Sequence, residues 1–108
     1  MAFAVAIRRF VNGIPRVLSN YEDGKQLVRS SRSVAANYLE AQDGLSRKDF
    51  FYRIKVSRKE ARETSLWLQL LQIGTDDALQ RQRKALLDEA EELRRILSAI
   101  AKKDDIQE

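Results

Sequence analysis

Apolar residues recur at alternating steps of three and four along four separate stretches of this 108-residue chain. That spacing marks amphipathic helices rather than strands. The first stretch carries Phe3, Ile7, Phe10 and Ile14. Gly13 and Pro15 stop it, because proline lacks a backbone donor and restricts the residue before it. The second runs through Leu27, Ser31, Val34 and Tyr38 to about Ala41, where Asp43-Gly44 breaks it. Its start reads as a capping box, Ser19-Asn-Tyr-Glu22, in which the serine caps a backbone N–H and the glutamate reaches back. The third opens on Ser46-Arg-Lys-Asp49, with Leu45 and Phe50 placed as a hydrophobic staple. It continues with Phe50, Ile54, Ser57, Ala61, Thr64, Leu68 and Leu71 to Gly74. The fourth begins at Thr75-Asp76-Asp77, where acids suit the positive end of the helix dipole. Its stripe is Leu79, Leu86, Ala90, Leu93, Leu97 and Ile100, and the polar tail from Lys102 is expected to fray.

The pattern predicts one domain over residues 1–108, with helices at about 2–13, 19–42, 46–73 and 76–102. Short connections make sequential helices antiparallel neighbours, so the expected fold is all-α, an up-down-up-down four-helix bundle. Three helices with a detached fourth is the alternative. Ser57, Ala61 and Thr64 put small side chains at the centre of the third helix, which implies a close helix approach there. One Pro and four Gly are too few for a turn-rich β fold.

The chain has no Cys and no His. Disulfides, zinc sites of the Cys/His kind, a histidine general base and Glu-x-x-His di-iron ligands are therefore excluded. Carboxylates remain, at Glu40, Asp43, Asp49, Glu60 and Glu63, but in no recognised catalytic or magnesium-binding spacing. Asp49 with Arg53 and Lys59 with Glu63 read as ordinary i, i+4 pairs. A non-enzyme without cofactor or metal is expected. No apolar run approaches the ~18 residues that span a bilayer. The apolar start, Met1 to Ile7, is followed by Arg8 and Arg9, the reverse of the charge order in a secretory signal. The expected location is cytoplasmic, away from membranes.

Charge is unevenly placed. Residues 1–62 hold 13 basic and 6 acidic side chains, whereas residues 63–108 hold 7 basic and 10 acidic. At about 100° per residue, Lys48, Tyr52, Lys55, Lys59 and Arg62 share the outer face of the third helix. Lys25, Arg29 and Arg32 do the same on the second. Two positive stripes, one holding a tyrosine, are candidate phosphate-binding surfaces, against the plainer reading of solvated helix faces. Leu66, Leu70 and Ile73 continue the outer face of the third helix, with Trp67 beside them. A bundle helix needs one apolar stripe, so a second marks an oligomer interface or tighter wrapping by the first and fourth helices.

Several blocks, in order, carry a resemblance: Gly24-Lys-Gln-Leu-Val-Arg-Ser-Ser31, Ser33-Val-Ala-Ala-Asn-Tyr-Leu-Glu-Ala41, Leu45-Ser-Arg-Lys-Asp-Phe50, Arg53-Ile-Lys-Val-Ser-Arg-Lys-Glu-Ala61 and Trp67-Leu68. Over residues 14–73 the chain resembles the bacterial four-helix-bundle proteins encoded by intervening sequences of 23S ribosomal RNA genes. More distantly, it is similar to the accessory variability determinant of diversity-generating retroelements. The resemblance implies a ring-like homopentamer with a positive surface or channel and, from the retroelement relatives, a reverse transcriptase as partner. It places the family's Asn and Glu on Asn37 and Glu40, and its basic run on Lys48, Arg53, Lys55, Arg58 and Lys59, as structural or binding residues. The chain departs at Arg32 and Ala35, where relatives often have Gly, at Ser57, where they often have Cys, and in a shorter first helix. The expected function is binding of RNA, DNA or a ribonucleoprotein by a homo-oligomer. The alternative is a protein–protein adaptor docking a partner near Trp67.

Overall fold

The computed structural model describes residues 2–44 and 46–106, which form α1 (Ala2–Asn12), α2 (Leu18–Gln42), α3 (Arg47–Leu70) and α4 (Asp77–Ile106). Cross-helix pairs show the antiparallel register of α2 and α3: Asn20 meets Gln72, Ser30 meets Thr64, and Ser57 meets Val34. Lys55 and Arg47 near the start of α3 meet Asp104 near the end of α4, and Arg83 near its start meets Leu71. The helix α1 packs against α2 and α4, and α4 against α3, which closes the four-helix bundle.

The helices differ greatly in length. With a rise of about 1.5 Å per residue, α1 is roughly 16 Å long and α4 roughly 45 Å. One half of the bundle therefore has four walls. There Phe3, Ile7, Phe10 and Ile14 bury against Leu27, Leu68 and Leu86. The other half has three walls, and Val34, Ile54, Ala61 and Leu97 fill it. Each fully buried aliphatic, such as Ile7, Leu27, Ile54 or Leu68, contributes about 1.5–3 kcal/mol by leaving water. Tyr38, expected in the seam, is 41% exposed because α1 does not extend far enough to cover it. At the start of α3 the more deeply buried ring is Phe51, edge-on to the half-buried Phe50 with centroids 5.1 Å apart.

Helix ends depart from the sequence reading at three places. The helix α2 starts one residue before Ser19, its N-cap is Val17, and no side chain caps it. The capping box is replaced by backbone bonds from Tyr21 N to Val17 O and from Val17 N to Pro15 O. The helix α3 stops at Leu70, short of Gly74, and the chain leaves through Leu71 in an extended conformation. Gly74 serves instead in the following turn, at φ 66°. The tail of α4 stays helical to Ile106, because Asp104 and the carbonyl of Lys103 bind Arg47. Ser46 caps α3 as expected, its Oγ accepting from Asp49 N at 3.0 Å. The Leu45–Phe50 staple lies outside the described residues.

Asn20 ties two loops together. It is 3% exposed, and its Nδ2 donates to Pro15 O at 3.0 Å and Gln72 O at 2.7 Å. Its Oδ1 accepts from Gln72 N at 2.8 Å. One carboxamide thus satisfies backbone groups of both the α1–α2 and the α3–α4 connections. Replacing it by alanine strands the N–H and carbonyl of Gln72, while Pro15 O keeps the bond from Val17 N, so Asn20→Ala should lower the unfolding free energy by about 2–4 kcal/mol. Urea denaturation followed by circular dichroism measures this.

Candidate nucleic-acid interface

The interface between α2 and α3 decides which cations face solvent. Ser30, Ser57 and Thr64 are fully buried there, which lets the two backbones approach closely. Ser57 Oγ donates to Val34 O at 2.8 Å, and the hydroxyls of Ser30 and Thr64 lie 2.9 Å apart. With the helices this close, Arg29 reaches across α3. Its guanidinium binds both oxygens of Glu60, at 3.3 and 3.4 Å, and Glu63 at 3.2 Å. Glu60 is 8% exposed, so this pair neutralises a buried carboxylate. The hydrogen bond to Glu60 raises the Arg29 pKa further above its ordinary value. Arg29 is thus committed to these two carboxylates, although its side chain stays 43% exposed.

The other stripe residues divide in the same way. Lys48, Tyr52, Lys59 and Arg62 are all exposed on the outward side of α3. Lys59 sits 3.9 Å from Glu63, whereas Lys48 and Arg62 make no ion pair with any described residue. Lys55 was expected in this row but is half-buried and turns toward α4, where its Nζ donates to Asp104 Oδ2 at 2.9 Å. On α2, Lys25 and Arg32 are exposed, and the Lys25 Nζ lies 4.9 Å from the centre of the Tyr21 ring.

Two of the four family-motif positions meet. Arg53 donates to Asn37 Oδ1 at 3.2 Å, and the Asn37 Nδ2 donates to Ser33 O and Oγ. Arg53 therefore reaches across to α2, in place of the expected helical pair with Asp49, and stands 5.7 Å from the centre of the Tyr52 ring. Glu40 is exposed and Arg58 half-buried, and neither joins this network.

The apolar end of α3 is also divided. Leu66 and Leu70 are 48% and 49% exposed. Ile73, assigned to the same outward row, is 3% exposed and belongs to the protein's own core. Its helical phase ends at Leu70, where Arg83 donates to Leu71 O at 2.7 Å and Asn20 fastens Gln72, so the chain folds inward. Trp67 is half-buried against that core rather than standing outside it, and its buried indole N–H finds no partner among the described residues.

The sequence reading missed an open groove between α1 and α2, lined by Arg16, Tyr21, Lys25 and Arg32. Its signal lies in the spacing of Tyr21, Lys25, Val28 and Arg32 along one helix face. Among the described residues no group of three acidic, histidine or cysteine side chains could hold a metal ion. No described helix is long and apolar enough to cross a membrane.

A family model described as "23S rRNA-intervening sequence protein" matches residues 1–99. A crystal structure from Bacteroides thetaiotaomicron, of a protein with unknown function from the S23 ribosomal protein family, is 34% identical. The match covers 94% of this chain and 93% of that one, with a TM-score of 0.76. No curated protein matches the sequence.

Two ion-pair predictions follow from this geometry. Arg29→Ala leaves the Glu60 carboxylate buried without its cation and should cost about 1–3 kcal/mol. Adding Glu60→Gln removes the stranded charge and should restore part of that loss, a non-additivity that a double-mutant cycle in urea reads directly. The hydrogen bond from Lys55 holds the Asp104 carboxylate below its ordinary pKa of 3.8; partial burial opposes this, and the charges of Lys55 and Arg47 add to it. Its stabilising contribution is therefore complete above that ordinary value and lost as pH falls through the lower folded one. Unfolding curves taken from pH 5 to pH 2 should fall more steeply for the wild type than for Asp104→Asn.

Proposed function

Because the chain belongs to the 23S rRNA-intervening sequence protein family, we propose that it acts as a non-catalytic cytoplasmic bundle binding nucleic acid or a ribonucleoprotein through outward cations of α2 and α3. The observation that carries this reading is the sorting of charge. Arg29 and Lys55 are spent on carboxylates of neighbouring helices, while Lys25, Arg32, Lys48 and Arg62 stay exposed and pair with no described acid. Such side chains displace condensed counterions from phosphates, and the displacement drives binding without reading sequence. The sequence pI of about 9.6 supports the same direction, as does the ribosomal family name of the structural neighbour.

Assembly belongs to the proposal. Leu66 and Leu70 form an exposed apolar pair on the outward side of α3, and a second copy of the chain would cover them in a ring-like homo-oligomer. A pentamer is favoured from the family resemblance. The same pair favours a second reading, in which an adaptor docks a protein such as a reverse transcriptase there.

Fluorescence anisotropy with a labelled RNA separates the two readings. Binding should be measurable at 50 mM salt, and the logarithm of the association constant should fall linearly with the logarithm of salt. Lys48→Glu with Arg62→Glu should weaken binding and lower that slope by about 1–2. Absence of binding at low salt, together with a protein partner lost on Leu66→Ser and Leu70→Ser, would select the adaptor.

A further inference from the structure

The groove between α1 and α2 is an open cleft of about 710 Å³, bounded by Val11, the connection through Pro15 and Arg16, and one flank of α2. Four cations line it, Arg16, Lys25, Arg29 and Arg32, and no carboxylate does among the described residues. Arg29 is held by Glu60 and Glu63. The other three make no ion pair with any described residue. Between them the lining is mostly apolar and aromatic, with Asn12 and Asn20 as its polar members. Leu18 is 79% exposed, Tyr21 65% and Val17 41%. Tyr21, Lys25, Val28 and Arg32 follow one another at steps of four, three and four, so they share one face over about 16 Å of helix.

Cations along a cleft without acids attract a polyanion, and a largely exposed aromatic ring beside them offers a face to a base. A duplex keeps its bases stacked inside, out of reach of a side chain in a groove wall. A single strand presents them. We propose that this groove seats a single-stranded nucleic acid, with a base stacked on Tyr21 and phosphates on Arg16, Lys25 and Arg32. The inference rests on the nucleic-acid reading above and adds to it the strand type and the seat. Ribose and deoxyribose strands share this chemistry, so both are tested.

The experiment measures anisotropy of labelled ten-nucleotide uridine RNA, the matching deoxyuridine DNA and an RNA duplex over a range of salt concentrations. Wild-type protein should prefer either single strand to the duplex, and the difference between RNA and DNA shows whether the 2′-hydroxyl contributes. Tyr21→Ala should weaken single-strand binding about tenfold while leaving the salt slope unchanged, because stacking releases no counterions. Tyr21→Phe should bind like the wild type. Arg16→Glu with Arg32→Glu should lower both affinity and slope. The high exposure of Tyr21 makes its replacement compatible with folding, and thermal melting by circular dichroism checks this. If these variants bind like the wild type while Lys48→Glu with Arg62→Glu loses affinity, the groove assignment is overturned and nucleic-acid binding stands. If the wild type binds no polyanion at 50 mM salt, both readings fail together.

Discussion

The close contact of α2 with α3 is the constraint on which the rest of the molecule depends. Three small hydroxyl residues, Ser30, Ser57 and Thr64, occupy positions where a larger side chain would hold the helices apart. Their hydroxyls bond to each other or to carbonyls, so none is left unsatisfied in the interior. The short separation brings Arg29 within reach of Glu60 and Arg53 within reach of Asn37. Burial of a carboxylate at Glu60 is tolerable only because this geometry supplies a bidentate partner. The same contact thus sets the packing and commits Arg29 and Arg53 to partners across it.

The consequence for function is a surface sorted into two classes of cation. Those facing a neighbouring helix, Arg29, Arg47, Arg53 and Lys55, find oxygen atoms across the helix interfaces. Those on outward flanks, Lys25, Arg32, Lys48 and Arg62, keep their hydration. These four lie on α2 and α3, within the stretch of residues 1–62 that holds 13 basic and 6 acidic side chains.

Local signals made the helices legible, and non-local ones hid the rest. Phe3, Ile7, Phe10 and Ile14 follow the helical period and all four are buried. Ser46 caps α3 as its position before an acidic first turn implies. The end of α3 was not legible, because Asn20, 52 residues away in sequence, and Arg83 on α4 determine it. That early stop moves Ile73 from the expected outer row into the core. Lys55 has the spacing of an outward residue but lies within reach of Asp104, a residue read as part of a frayed tail. The groove beside Tyr21 depends on how α1 meets α2, which periodicity along one helix does not encode.

In the proposed function the outward charges and the Leu66–Leu70 patch are surfaces for other molecules, while the charges paired between helices serve the fold. Light scattering on a sizing column, run with and without single-stranded RNA at several salt concentrations, tests it most directly. The expected result is a particle of several 12.5 kDa chains whose mass rises with RNA at low salt and returns to the RNA-free value at high salt. A lone 12.5 kDa particle, unchanged by RNA at the lowest salt, would contradict it.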